Sequence, residues 1–217
     1  MTSVSTFAIL LGGVLVADAR VRALVAGARV IAADGGIRHA SALGLDPELW
    51  VGDFDSVSSA DLATWCATPR RSYPAEKDLS DGEIAIQAAL EAGARRLVML
   101  GALAGDRSDH ALLHLLQALA LSERGIAVVL SSGEEEAMPL LPGTMDLDLP
   151  TGSLFSILAF SELTDLSVTA VKYPLDRVCI SLGASRTLSN VALGRVRIAL
   201  GTGRAMVIAR PHDMTGA

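Results

Sequence analysis

The sequence predicts an α/β protein in two parts: a parallel-sheet α/β domain over residues 1–135 and a small antiparallel β domain over residues 145–217. Two observations carry this reading. Through about residue 135, short apolar runs alternate with stretches of helical periodicity, the pattern of a sheet linked by right-handed crossover helices. After Ser131 the pattern changes: residues 132–136 are polar, Pro139, Pro142, Gly143, Pro150 and Gly152 punctuate the chain, and helical periodicity is absent from Ser153 onward. An apolar fraction of 51% over 217 residues is enough to build a core.

Taken in order, Phe7–Leu11 reads as a first buried strand that runs into a Gly12-Gly13 turn, and Arg29–Ala33, Leu49–Val51, Leu97–Leu100 and Ala127–Leu130 as its neighbours. Between them Ile37–Leu43, Asp61–Ala67, Glu83–Ala92 and Asp109–Glu123 read as helices. In the C-terminal part, Asp165–Ala170 and Arg195–Leu200 alternate polar and apolar residues. Gly201-Thr202-Gly203 then leads into Arg204–Ala209, which predicts a hairpin. A β domain of roughly 70–80 residues is near the size at which a lone core is marginal, so packing against a partner is expected.

A net charge of −6 argues against nucleic acid or an anionic membrane as the main partner. It is compatible with a nucleotide, because a bound divalent cation reverses the local field. The two cysteines, Cys66 and Cys179, lie far apart and in no metal-ligand spacing, which fits a reducing compartment. The apolar run Phe7–Ala17 is too short to span a bilayer, and no Lys or Arg precedes Arg20 as a secretory signal would require. A cytoplasmic location is therefore expected. Lysine is confined to Lys77 and Lys172, the former inside an acidic cluster.

The chemistry is concentrated in four clusters, each after a predicted strand or ahead of a predicted helix: Asp34-Gly35-Gly36, Asp53-Phe54-Asp55, Asp78-Leu79-Ser80-Asp81 and Asp106-Arg107-Ser108-Asp109-His110. In open α/β sheets ligands collect at the carboxyl ends of strands. On an extended strand Asp53 and Asp55 would share a face and could bind one hard cation, with Phe54 pointing into the core. Ser80 and Glu83 match a helix capping box, which assigns Ser80 to capping and leaves Asp81 for a cation. The glycines beside Asp34 permit close approach of a ligand to the backbone, although Asp34 would also serve as a helix N-cap. Lys77 and Arg107 are suited to phosphate. His110 could contact ligand, whereas His114 reads as a packed or surface helix residue; Ala111 stands where a zinc protease helix would carry its glutamate. Neither standard phosphate loop is present.

Residues 33–36, 52–56, 77–81 and 101–110, in this order and spacing, resemble the thiamine pyrophosphokinase family. Tyr173-Pro174-Leu175 and Leu188-Ser189-Asn190 resemble signatures of that family's C-terminal domain. The resemblance implies an N-terminal α/β domain, a C-terminal β-sandwich and a homodimer with shared active sites. It implies a transferase that moves the pyrophosphoryl group of ATP to the hydroxyl of thiamine, giving thiamine diphosphate and AMP. By matching positions, Asp53, Asp55 and Asp81 would hold Mg²⁺, with Asp34, Gly35, Lys77, Asp78, Arg107, Asp109 and His110 on the nucleotide and phosphate side. Asp81 and Asp109 are the candidates to take the alcohol proton, and Ser189 and Asn190 would serve thiamine.

Three positions depart from the family pattern. Ser80 replaces the usual threonine, Asp106 lengthens the segment between Gly105 and Arg107, and residues 145–217 offer only Phe155, Phe160 and Tyr173 as aromatic partners for a substrate ring. Two other readings use the same residues: a metal-dependent phosphohydrolase acting on a nucleotide or phosphate ester, and a non-catalytic thiamine or nucleotide sensor.

Overall fold

The computed structural model describes residues 5–55, 57–74, 78–103 and 105–215. It is a mixed α/β protein that divides into two compact units, residues 1–114 with 125–133 and residues 115–124 with 134–217.

In the first unit β1 (Thr6–Leu10), β2 (Arg29–Ala33), β3 (Leu49–Gly52), β4 (Arg70–Ser72), β5 (Arg96–Leu100) and β6 (Ala127–Ser131) form a parallel array ordered β4-β3-β2-β1-β5-β6. The interior strands carry unbroken apolar runs because both faces are covered. On one face Ala8, Leu10, Val30, Ala32, Trp50, Val98 and Leu100 meet α1 (Ala19–Leu24) and α2 (Arg38–Leu43) through Val21, Ala40 and Leu43. Helix α4 (Asp81–Glu91) packs against β1, β2 and β3. The five predicted strands and the helices after β2, β5 and β3 fall where the periodicity placed them, the last as α3 (Ser59–Thr64).

Two elements of this unit carried no sequence prediction. Helix α1 has six residues, of which only Val21 is buried, so its amphipathic signal is weak; its start is fixed by Asp18, which accepts from the Val21 N–H at 2.7 Å. Strand β4 is three exposed residues at the sheet edge and has no apolar pattern to read.

The second unit contains the C-terminal half of α5 (Ser108–Glu123) and seven strands: β7 (Glu136–Leu140), β8 (Gly143–Leu147), β9 (Leu154–Ala159), β10 (Leu163–Val171), β11 (Leu175–Ile180), β12 (Asn190–Leu200) and β13 (Ala205–Arg210). Every registered pairing among them is antiparallel. Val196, Ile198 and Leu200 of β12 alternate inward with Leu166 and Val168 of β10 and Phe155 and Ile157 of β9 to form its core. The predicted hairpin over residues 195–209 does not form. β12 pairs with β8, β9 and β10, whereas β13 pairs with β7 and β9, so β9 lies between the two. The intervening turn is bonded instead to residues 160–164, by the Gly201 N–H to the Thr164 carbonyl at 3.0 Å and the Phe160 N–H to the Arg204 carbonyl at 2.8 Å.

One close approach governs the mouth of the first unit. Asp34–Ile37 form a 3₁₀ turn directly after β2, and a Cβ on Gly36 would lie 2.2 Å from the Leu10 carbonyl oxygen at the end of β1. Gly36→Ala is expected to cost about 3 kcal/mol or more, a fall in melting temperature of roughly 6–12 °C for a chain of this size. Gly194→Ala, where a Cβ meets nothing within 4 Å, is expected to stay within about 0.5 kcal/mol of the parent. Thermal denaturation of the two variants checks the contrast.

Candidate active site

The strand order β4-β3-β2-β1-β5-β6 reverses direction between β1 and β5. At such a switch point the loops leaving two adjacent strands diverge and open a crevice at their carboxyl ends. Here the Leu11 N–H bonds the Leu100 carbonyl at 2.8 Å and the Gly13 N–H bonds the Gly101 carbonyl at 3.1 Å. A cavity of about 600 Å³ opens there, lined by Gly12 and Gly13, Asp34, Gly35 and Arg38, Asp53, Ser80 and Asp81, and by Arg107, His110 and His114.

Within it, one carboxylate oxygen each from Asp34, Asp53 and Asp81 lies within 4.8 Å of the others. The three come from the ends of β2 and β3 and from the first residue of α4. Their donor set is entirely hard oxygen, which fits Mg²⁺: a small cation that takes one or two carboxylates and completes its shell with water and phosphate oxygens. Asp34 is held in the left-handed region at φ 41°, and a Cβ on Gly52 would approach its Cα and Cβ to 3.1 Å. The Ser80 Oγ accepts from the Glu83 N–H at 3.2 Å while the Glu83 carboxylate accepts from the Ser80 N–H at 3.0 Å, so the predicted capping box forms and sets Asp81 on the first turn.

Asp53 and Asp55 do not share a strand face as the sequence suggested. β3 ends at Gly52, and Phe54 adopts φ 64°, turning the chain so that its ring meets Trp50 edge-on at 5.0 Å. Phe54 does point to the core, as expected, but Asp55 is exposed and outside the carboxylate group that Asp34 completes.

Arg107 lines the cavity, yet its guanidinium already forms a bidentate pair with Asp109 at 2.9 and 2.7 Å. That pairing holds the Asp109 carboxyl well below the usual carboxylate range. Asp109 does not line the cavity, and Asp78 lines a smaller hollow with Arg71, Tyr73 and Glu91. Lys77 and Ser56 lie outside the described residues. Ser189 and Asn190 belong to the second unit. Asn190 accepts from the Tyr173 N–H at 3.1 Å and donates to the Tyr173 carbonyl at 2.8 Å, so the two C-terminal signature segments are clasped together. Ser189 is exposed at φ 55°, its N–H bonded to Ser156 Oγ at 3.0 Å. Of the aromatic residues there, Phe155 is in the core and Tyr173 is exposed.

Arg38 escaped the sequence reading, whereas His114 is packed on α5, as one of its two expected placements had it. Arg38 donates to the carbonyls of Gly12, Gly13 (3.2 Å) and Gly35 (3.2 Å), tying together the loops after β1 and β2. Its signal was the Gly12-Gly13 pair, which implies loop carbonyls in need of donors. His114 is buried, and its Nδ1 lies 3.0 Å from the Ala102 carbonyl. A carbonyl only accepts, so Nδ1 carries the proton and the neutral ring keeps Nε2 as an acceptor. Burial pushes its pKa down, a charge contribution from His110 adding to that, while the Ala102 bond and Glu83 oppose it.

This arrangement defines an α/β enzyme whose ligand cavity, rich in hard oxygen donors, opens at the switch point of a parallel sheet. The family described as "Thiamin pyrophosphokinase, catalytic domain" matches residues 22–130. The chain is 29% identical over 151 residues to the thiamine pyrophosphokinase of Bacillus subtilis (strain 168), covering 68% of this chain and 70% of that protein. In fold it is similar to the crystal structure of thiamine pyrophosphokinase from Bacillus subtilis, with a TM-score of 0.82 at 23% identity over 96% of this chain and 99% of that one. It is likewise similar to that from Geobacillus thermodenitrificans, with a TM-score of 0.80 at 25% identity over 98% and 100%. The chain belongs to the thiamin pyrophosphokinase family, and the resemblance read from its motifs is borne out. No helix of the described residues is long and apolar enough to cross a membrane.

A histidine with a lowered folded pKa favours folding above its unfolded value, and that contribution is lost as pH falls from there through the folded pKa. The parent is therefore expected to lose melting temperature as pH falls below about 6.5. His114→Asn is expected to show a shallower fall, measured by thermal melts across that range; the residual slope belongs to His39, whose pKa burial also lowers.

Proposed function

We propose that the chain transfers the pyrophosphoryl group of ATP to the hydroxyl of thiamine, yielding thiamine diphosphate and AMP. The observation that carries this reading is the convergence of Asp34, Asp53 and Asp81 in the switch-point cavity of a chain that belongs to this family. The three carboxylates would hold Mg²⁺, which when bound neutralises charge on the phosphate oxygens that the carboxylates would otherwise repel.

The chain's own residues supply the rest. Gly12, Gly13 and Gly35 leave the cavity wall low enough for phosphates to lie against the backbone, and Arg38 fixes that wall. Arg107 faces the cavity rim and offers a guanidinium to the transferred group, exchanging Asp109 for phosphate. Attack at the β-phosphorus depends on in-line positioning and charge neutralisation more than on a strong base. Of the two aspartates considered for the alcohol proton, Asp81 borders the cavity and Asp109 does not, so we assign the proton to Asp81.

In this reading residues 1–135 handle nucleotide and metal, Lys77, Asp78 and His110 assist on the phosphate side, and residues 145–217 form a β-sandwich for thiamine binding and dimerisation. Ser189 and Asn190 serve the thiamine side, Asn190 through the clasp on Tyr173. The working form is a cytoplasmic homodimer with shared sites.

The test is AMP formation from ATP and Mg²⁺ with and without thiamine, followed by chromatography. Thiamine-dependent AMP with an equal amount of thiamine diphosphate is expected; ADP or phosphate released regardless of thiamine overturns the reading. Asp53→Asn and Asp81→Asn are expected to lose at least about 100-fold in turnover with unchanged far-UV circular dichroism. Asp55→Asn, outside the carboxylate cluster, is expected to lose less.

A further inference from the structure

Among the described residues of the first unit, two non-glycine residues have positive φ, Asp34 at 41° and Phe54 at 64°. Residues with a Cβ are held in that region only when their surroundings over-determine it. One side chain touches both. Trp50 is fully buried on β3, opposite Ala32 of β2, and its Nε1–H donates to the Asp34 carbonyl at 2.9 Å. Its ring meets Phe54 edge to face at 5.0 Å and 88°. The Arg70 guanidinium lies 4.9 Å from the ring centroid and is itself fixed by the Leu62 carbonyl at 3.1 Å.

We infer that Trp50 is a positioning residue for the carboxylate cluster, setting cation affinity by fixing the two turns that deliver Asp34 and Asp53. This rests on the cation reading of the Asp34, Asp53 and Asp81 cluster. Trp50 does not line the cavity. It acts through main chain: the indole N–H holds the carbonyl of Asp34 while the ring backs the residue that follows Asp53. An aliphatic or phenyl side chain could fill the same core space, but neither can donate to that carbonyl. Loss of the indole N–H removes one donor to that carbonyl and loosens a backbone conformation that aspartate does not hold unaided.

The test compares Trp50→Phe with the parent by electron paramagnetic resonance of free Mn²⁺ during titration, with and without ATP. A rise in the Mn²⁺ dissociation constant of about tenfold is expected. In the steady state the KM for Mg²⁺ is expected to rise alike, with kcat at saturating Mg²⁺ and the KM for thiamine nearly unchanged. Equal Mn²⁺ affinity in a folded Trp50→Phe protein overturns the inference while leaving the cation site standing. Absence of Mn²⁺ binding by the parent, with ATP present, overturns both. Should Trp50→Phe fail to fold, Trp65→Phe decides instead, because the chain has two tryptophans and this variant leaves only Trp50. Its single indole N–H resonance is expected to move on Mg²⁺ titration and to stay still when Asp81→Asn is added. A resonance that ignores Mg²⁺ in a protein that binds it overturns the inference.

Discussion

Three carboxylates that converge within 4.8 Å oppose their own arrangement. Each pair repels by about 1 kcal/mol in bulk water and by about 3 kcal/mol at the dielectric of a protein surface. Such a cluster persists only where rigid main chain holds it, and the first unit is built to do so. Its strand ends press together so closely that Gly36 leaves no room for a Cβ against Leu10, and Gly52 brings the end of β3 against Asp34. Apolar layers on both faces of the sheet keep the strands themselves from yielding. The cavity is thus a product of sheet topology, and the repulsion inside it is what a bound cation would relieve.

The two units solve different problems. The first concentrates charge at one end of a sheet that is parallel throughout. The second carries alternating strands with one face inward, and its exposed chemistry lies on turns. The clasp of Asn190 on Tyr173 illustrates the second strategy: a buried amide satisfies main-chain groups of a distant loop, so a residue marked by the sequence as ligand-facing also has a structural duty. Arg38 does the same for the glycine loops of the first unit.

Much of this was legible in the sequence, for identifiable reasons. Buried strands announce themselves as apolar runs, and the capping box at Ser80 and Glu83 is a purely local signal. Elements whose stability comes from elsewhere were silent: β4 exposes all three residues, α1 buries one, β7 carries Pro139 within it and β8 opens on Gly143. The turn at residues 201–204 was visible, but not which strand would lie between its flanks, because β9 is about fifty residues earlier in the chain. In the site, three of the acidic clusters contain the aspartates that the fold brings together, Asp34, Asp53 and Asp81. That Asp34 rather than Asp55 lies beside Asp53 and Asp81 could not be read, because it depends on the φ of Phe54 and hence on packing against Trp50.

The placement of β13 has a consequence for how the chain is made. This strand sits between β7 and β9 and ends at Arg210, so an interior strand of the second unit is synthesised after every other strand described. All strands of the first unit are complete by Ser131. During synthesis the parallel layer can therefore assemble while β7 and β9 still wait with open edges, each a template for a wrong partner until β13 arrives.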